Sequence, residues 1–131
     1  RTMWAPSMTG AANRPPTVID FPRPEVLMSM NDRDHWRKKA EKVANWRMAA
    51  RYSTPRTTRD LPPCTVHISL PVRDRRRRDP HNYYPTVKAI VDGLVDAGVW
   101  PDDTPEWVTT IEPSLEIGGT HVVVTLTERT A

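Results

Sequence analysis

Asp79, Lys88, Asp102 and Asp103 fall within one short stretch of chain, and an unbroken run of arginines, Arg75-Arg76-Arg77-Arg78, leads directly into the first of them. Carboxylates are hard oxygen ligands for a divalent cation such as Mg²⁺, and a cation held among them polarises a phosphoryl oxygen. Acids alone repel a polyanion, so the neighbouring guanidiniums supply the complementary requirement. Together these residue types suit Mg²⁺-assisted cleavage of a phosphodiester, with Lys88 able to neutralise charge that develops on the phosphate or leaving oxygen. Each acid also has a plainer use: Asp79 before Pro80 suits a turn, and Asp102-Asp103 a solvated loop.

These groups must be positioned by the segment between them. Pro85 suits the first turn of a helix, Val87, Ile90, Val91 and Leu94 form one apolar stripe, and Gly98 stops it. Lys88 and Asp92 lie one turn apart on another face. Such a helix of about 13 residues is roughly 20 Å long, so Asp102 and Asp103 reach Asp79 only if the chain after Gly98 folds back along it. Upstream, Cys64-Thr65-Val66-His67-Ile68-Ser69-Leu70 alternates apolar and polar residues like a half-buried strand that delivers its end to the arginine loop.

The rest of the chain supplies a first strand, Thr17 to Phe21, closed by Pro22-Arg23-Pro24. A helix from about Arg33 to Arg51 follows, with Asn31 or Asp32 as N-cap. Trp36, Ala40, Val43, Trp46 and Ala50 recur at helical spacing, which predicts that both tryptophans lie in the core. The flanks of that helix carry Arg33, Arg37, Lys38 and Lys42, candidates for phosphate contact or, more simply, a solvated face. Trp107 to Ile117 and Thr120 to Glu128, joined by Gly118-Gly119, predict a terminal hairpin in which Pro113 marks an edge or bulged strand. The order β-α-β-α-β-β predicts an α/β (α+β) domain with a mixed sheet of about four strands and two main helices.

With 131 residues the chain is expected to form one domain, residues 17–131, preceded by a flexible, Pro-containing extension over residues 1–16. Residues 1–88 carry a net +10 and residues 89–131 a net −7. A basic front folding against an acidic back makes nucleic acid the leading partner class. The single cysteine, Cys64, excludes an internal disulfide framework and a zinc site of several thiolates. No apolar run approaches a membrane span, and the first residues lack the apolar stretch of a signal peptide, so a soluble, cytoplasmic protein is expected. His35, His67 and His121 are too dispersed for a metal motif.

The stretches Asp74-Arg75-Arg76-Arg77-Arg78-Asp79-Pro80-His81-Asn82, Lys88-Ala89-Ile90-Val91-Asp92-Gly93-Leu94 and Ala97-Gly98-Val99-Trp100-Pro101-Asp102-Asp103 resemble, in that order, the RusA-type Holliday junction resolvases, particularly phage and prophage members. The resemblance covers most of the chain from about Thr17. It implies a small mixed α/β homodimer that binds branched DNA at a four-way junction and makes paired symmetric nicks with Mg²⁺, Mn²⁺ being a possible substitute, and that takes no small-molecule substrate. Carried over by position, Asp79, His81, Asn82, Lys88 and Asp103 would be catalytic. Asp79, His81, Asp102 and Asp103 would hold the metal, and Arg75 to Arg78 would hold DNA. His81 stands where a carboxylate is expected, and imidazole is a poorer ligand for hard Mg²⁺. Three outcomes stay open: an altered metal preference, a neighbouring acid such as Asp102 or Asp92 making up the loss, or a junction-binding protein that cuts weakly.

Overall fold

The alternation in Cys64-Thr65-Val66-His67-Ile68-Ser69-Leu70 makes β2 (Cys64–Val72) the central strand: Cys64, Val66, Ile68 and Leu70 are buried while the residues between them are half-buried. The computed structural model describes residues 14–129. In it β5 (His121–Glu128) pairs antiparallel with β2, from Cys64↔Glu128 to Ser69↔Val123. The outer edge of β5 receives β1 (Thr17–Pro22), also antiparallel. On the other side of β2 run two short parallel strands, β3 (Val108–Thr110) against Cys64–Val66 and β4 (Ser114–Ile117) against Ser69–Val72. The five strands form one mixed sheet, β1-β5-β2-β3, with β4 continuing the edge that β3 begins. The α/β class expected from the sequence is therefore observed.

Helices α1 (Trp36–Ser53) and α2 (Tyr84–Asp96) bury Trp46, Ala50, Val87, Ile90 and Leu94 in a single apolar cluster with Ile19, Phe21, Val66, Ile68, Leu70, Val122, Val124 and Leu126 of the sheet. The alternate strand positions, among them Val18, Asp20, His67, Ser69 and Thr125, turn away from this cluster and stay exposed or half-exposed. The two helices cross tightly at Gly93, where an added Cβ would lie 2.7 Å from the Cβ of Ala50. No helix among the described residues is long and apolar enough to cross a membrane.

Three expectations are corrected. The terminal hairpin does not form: β4 and β5 lie on opposite sides of β2, so the Gly118-Gly119 connection passes over the end of the central strand. Trp107 to Ile117 is two strands broken around Pro113, on an edge. Helix α1 begins at Trp36 rather than Arg33, capped by His35, whose Nδ1 accepts from the Arg37 amide at 3.2 Å. Asp32 is used elsewhere, its carboxylate accepting from the Ser29 amide at 2.9 Å to close a turn. Trp36 is 68% exposed, whereas Trp46 is fully buried. The extension expected over residues 1–16 lies, apart from its last three residues, outside the described ones; of those three, Arg14 reaches Glu128 at 3.4 Å.

Candidate functional site

The chain turns back after α2 and carries Asp103 to Lys88, but no metal-ligand group among the described residues unites it with Asp79, the partner expected from the sequence. Gly98 takes φ +89°, a left-handed conformation that suits glycine, and the next two side chains, Val99 and Trp100, are buried. The Trp100 indole N–H donates to the carbonyl of Pro62 at 3.1 Å, which anchors the returning chain to the segment before β2. Lys88 lies eight residues before the end of α2, about 12 Å of helix, and five extended residues from Gly98 to Asp103 reach roughly 17 Å. The return is therefore long enough for Asp103 to reach Lys88, and it does so: Lys88 Nζ donates to Asp103 Oδ2 at 2.5 Å and to Asp92 Oδ1 at 2.6 Å.

Arg129, the sole basic residue after Lys88, pins the far side of the same loop. Its guanidinium donates to the carbonyls of Pro105 (3.0 Å) and Glu106 (2.6 Å) and to the Thr109 hydroxyl (2.7 Å). Neither Arg129 nor Trp100 was singled out by sequence; the charge isolation of Arg129 was the one available signal. A small cavity of about 50 Å³ lies beside Lys88 and Asp103, walled by Val87, Val91 and Val108.

The electrostatics of this trio are set by the shared ammonium. Partial burial alone would lower the Lys88 pKa, but its hydrogen bonds to Asp103 and Asp92 outweigh that and hold it above the ordinary lysine value. The hydrogen bond from Lys88 holds Asp103 below the usual carboxylate range. Asp102 is exposed and its Oδ1 accepts from the Asp103 amide at 2.7 Å, shaping the loop rather than joining the trio.

Asp79 and His81 occupy a different turn. Asp79 caps a short 3-10 turn, Pro80–Tyr83, its Oδ1 accepting from the His81 amide at 3.1 Å. Both residues are exposed, and Asn82 is half-buried. Among the described residues no three His, Cys, Asp or Glu side chains gather closely enough to hold a metal ion, so Asp79, His81, Asp102 and Asp103 do not form a preassembled ligand set. Asp92 and Asp103 are the carboxylates that converge on one cation position. The cation at that position is the Lys88 ammonium itself, 2.6 Å from Asp92 Oδ1 and 2.5 Å from Asp103 Oδ2.

The arginine loop divides its labour. Arg78 is turned inward, donating to Asp74 Oδ1 and to the carbonyls of Asp74 (3.0 Å) and Arg76 (3.2 Å), so it braces the loop. The Arg76 amide hydrogen bond lowers the Asp74 pKa, with help from Arg78, which keeps that brace charged. Arg78 also lines, together with Arg73, Arg76, Arg23 and Tyr83, a cleft of about 400 Å³ whose other wall is Val26, Leu27, Ser29 and Asp32. Among the described residues no acidic side chain pairs with Arg23, Arg73 or Arg76. That other wall is held against α2 by Thr86, whose buried hydroxyl accepts from the Met28 amide (2.7 Å) and donates to its carbonyl (2.9 Å). The Met30 amide also donates to the Asn82 carbonyl at 2.8 Å, so the cleft is one hydrogen bond from the turn that carries Asp79.

On α1 and in the residues just before it, Lys42 is tied to Asp34 at 2.5 Å, while Arg33, Arg37 and Lys38 stay exposed and pair with no acid among the described residues. Cys64 is buried, and burial pushes its thiol pKa up, which suits a packing role rather than a nucleophilic one. No family model matches the chain, and no curated protein matches it either.

Proposed function

We propose that the chain is a RusA-type, structure-selective endodeoxyribonuclease that acts as a homodimer on four-way DNA junctions in the host cytoplasm and requires Mg²⁺ or Mn²⁺. The observation that carries this reading is the meeting of Lys88, Asp92 and Asp103, produced by the return of the chain after α2. The arginine-lined cleft beside the Asp79 turn supports it, because unpaired guanidiniums converging on a groove suit backbone phosphates. Arg23, Arg73 and Arg76 would bind and register the strand, and Lys88 would neutralise charge on the phosphate as a bond breaks. Asp92 and Asp103 would hold the divalent ion once the Lys88 ammonium moves from between them to the phosphate, and the ion would polarise a phosphoryl oxygen when bound. Asp79 and Asn82 would face the strand from the neighbouring turn. A two-fold dimer suits two symmetric cuts, since isologous pairing fixes the spacing of equal sites.

A second reading is a junction-binding protein that cuts weakly. It is favoured by His81 in place of an acid and by the lack of any three-ligand group among the described residues. Labelled four-way junctions incubated with Mg²⁺ or Mn²⁺ separate the two. Paired nicks that vanish in Asp103→Asn while binding persists support the nuclease; binding without nicks in either metal, with nicks gained by His81→Asp, supports the second reading. Full cutting by Asp103→Asn refutes the assigned site, and absence of junction binding refutes both.

A further inference from the structure

We propose that Trp36 is a stacking platform for an unpaired base, so that the start of α1 forms a contact for single-stranded or unstacked nucleic acid separate from the cleft. This rests on the reading of the chain as a nucleic-acid-binding protein and names the feature of the substrate that this surface takes. Trp36 lies in phase with Val43, Trp46 and Ala50, yet it stands in the first turn of α1 with its indole 68% exposed.

The ring has two neighbours. His35 packs at 5.5 Å between ring centroids and 32° between planes, and the Arg37 guanidinium sits 5.3 Å from the indole centroid. These contacts hold the indole outward without covering most of it, which reduces the ordering cost of a stacking partner. Its surroundings decide the partner's chemistry. Arg33, Arg37, Lys38 and Lys39 are exposed and unpaired with any acid among the described residues, and Asp34 is neutralised by Lys42. Glu25 and Glu41 border the same surface, so the four cations are in excess there rather than alone, and an exposed aromatic ring within that excess complements a polyanion with accessible π-faces. A fully stacked duplex hides those faces, whereas a single strand or a branch point presents them.

The test measures binding by fluorescence anisotropy for three DNAs: a 15-nucleotide oligo-dT, a blunt duplex of similar length and a four-way junction. Trp36→Ala weakens the oligo-dT complex by roughly 5- to 100-fold, the range expected for one stacked base, and changes duplex affinity less than about twofold. Trp36→Phe recovers most of the loss because it keeps a π-face. The salt slope is unchanged, since it counts phosphates rather than stacks. Equal loss on duplex and oligo-dT, no loss on oligo-dT, or a changed oligomeric state by light scattering overturns the inference. If the wild-type chain binds none of the three DNAs, the nucleic-acid reading itself fails; if it binds them and Trp36→Ala binds identically, the stacking platform alone fails.

Discussion

Replacing Gly93 by alanine tests the helix crossing that sets the height of Lys88 and Asp92. A Cβ there would overlap the Arg47 carbonyl oxygen and sit 2.7 Å from the Ala50 Cβ and 3.1 Å from the Arg51 amide nitrogen. Two of these neighbours are backbone atoms of α1, so no rotamer change relieves the clash and the helices must part by most of an ångström. Alanine gains about 1 kcal/mol of helix propensity over glycine. Overpacking typically costs 1–3 kcal/mol and more where backbone must move, and a gap of 0.5–1 Å forfeits a quarter to a half of each dispersion contact around buried Trp46 and Ala50. The net is a loss of roughly 1–3 kcal/mol, or a fall of about 3–15 °C in melting temperature for a domain of this size. Thermal and urea unfolding followed by circular dichroism measure it. A Gly93→Ala variant as stable as the parent, or more stable, would show that propensity wins and that the crossing is not close.

Thr86→Val keeps the shape of a fully buried side chain but leaves the Met28 amide and carbonyl without their partner. It should cost about 1–3 kcal/mol and loosen the wall of the arginine cleft, with Thr86→Ser restoring both; equal stability of the valine and serine variants counts against the clamp. The paired variant Arg73→Ala/Arg76→Ala should reduce the slope of log affinity against log salt by up to about 2, one phosphate contact per guanidinium, and an unchanged slope removes the cleft from the DNA path. Stability should also depend on pH. The Arg47 guanidinium lowers the Asp96 pKa and Lys88 lowers that of Asp103, so their stabilisation is present above about pH 4, the unfolded carboxylate range, and is lost as pH falls through the depressed folded values. Asp96→Asn should therefore flatten the acid limb of the melting profile, and parallel acid limbs for variant and parent would refute that contribution.

Where the sequence was legible, one period or one spacing decided the outcome. The stripe on α2 and the stop at Gly98 were readable because an apolar face and a left-handed glycine act within a few residues. The Lys88–Asp92 pair followed from i,i+4 spacing alone. The hairpin failed because strand alternation specifies which face is buried but not which strand lies alongside: β5, with Val122, Val124 and Leu126 buried, docks on one side of β2, and mostly exposed β4 takes the other. Trp36 failed for a related reason. Helical periodicity identifies a face but not the length over which it is covered.

The site shows the same division at closer range. The fold-back could be stated from the sequence only as a condition, because its cause lies in contacts remote along the chain: Trp100 reaching Pro62, and Arg129 reaching the loop from the end of β5. Those anchors bring Asp103 to Lys88, and Lys88 in turn selects Asp92, rather than Asp102, as the second acid. A lysine between two carboxylates removes the repulsion that would otherwise open the loop, so the pair is held together by the chain's own charge. Lys88→Met should then leave the carboxylates mutually repelling and displace the loop. The displacement would read out as weaker protection of the 102–104 amides in hydrogen exchange at neutral pH, and as recovery of that protection when Asp92→Asn is added. Protection that does not respond to either change would mean that Trp100 and Arg129 hold the loop unaided.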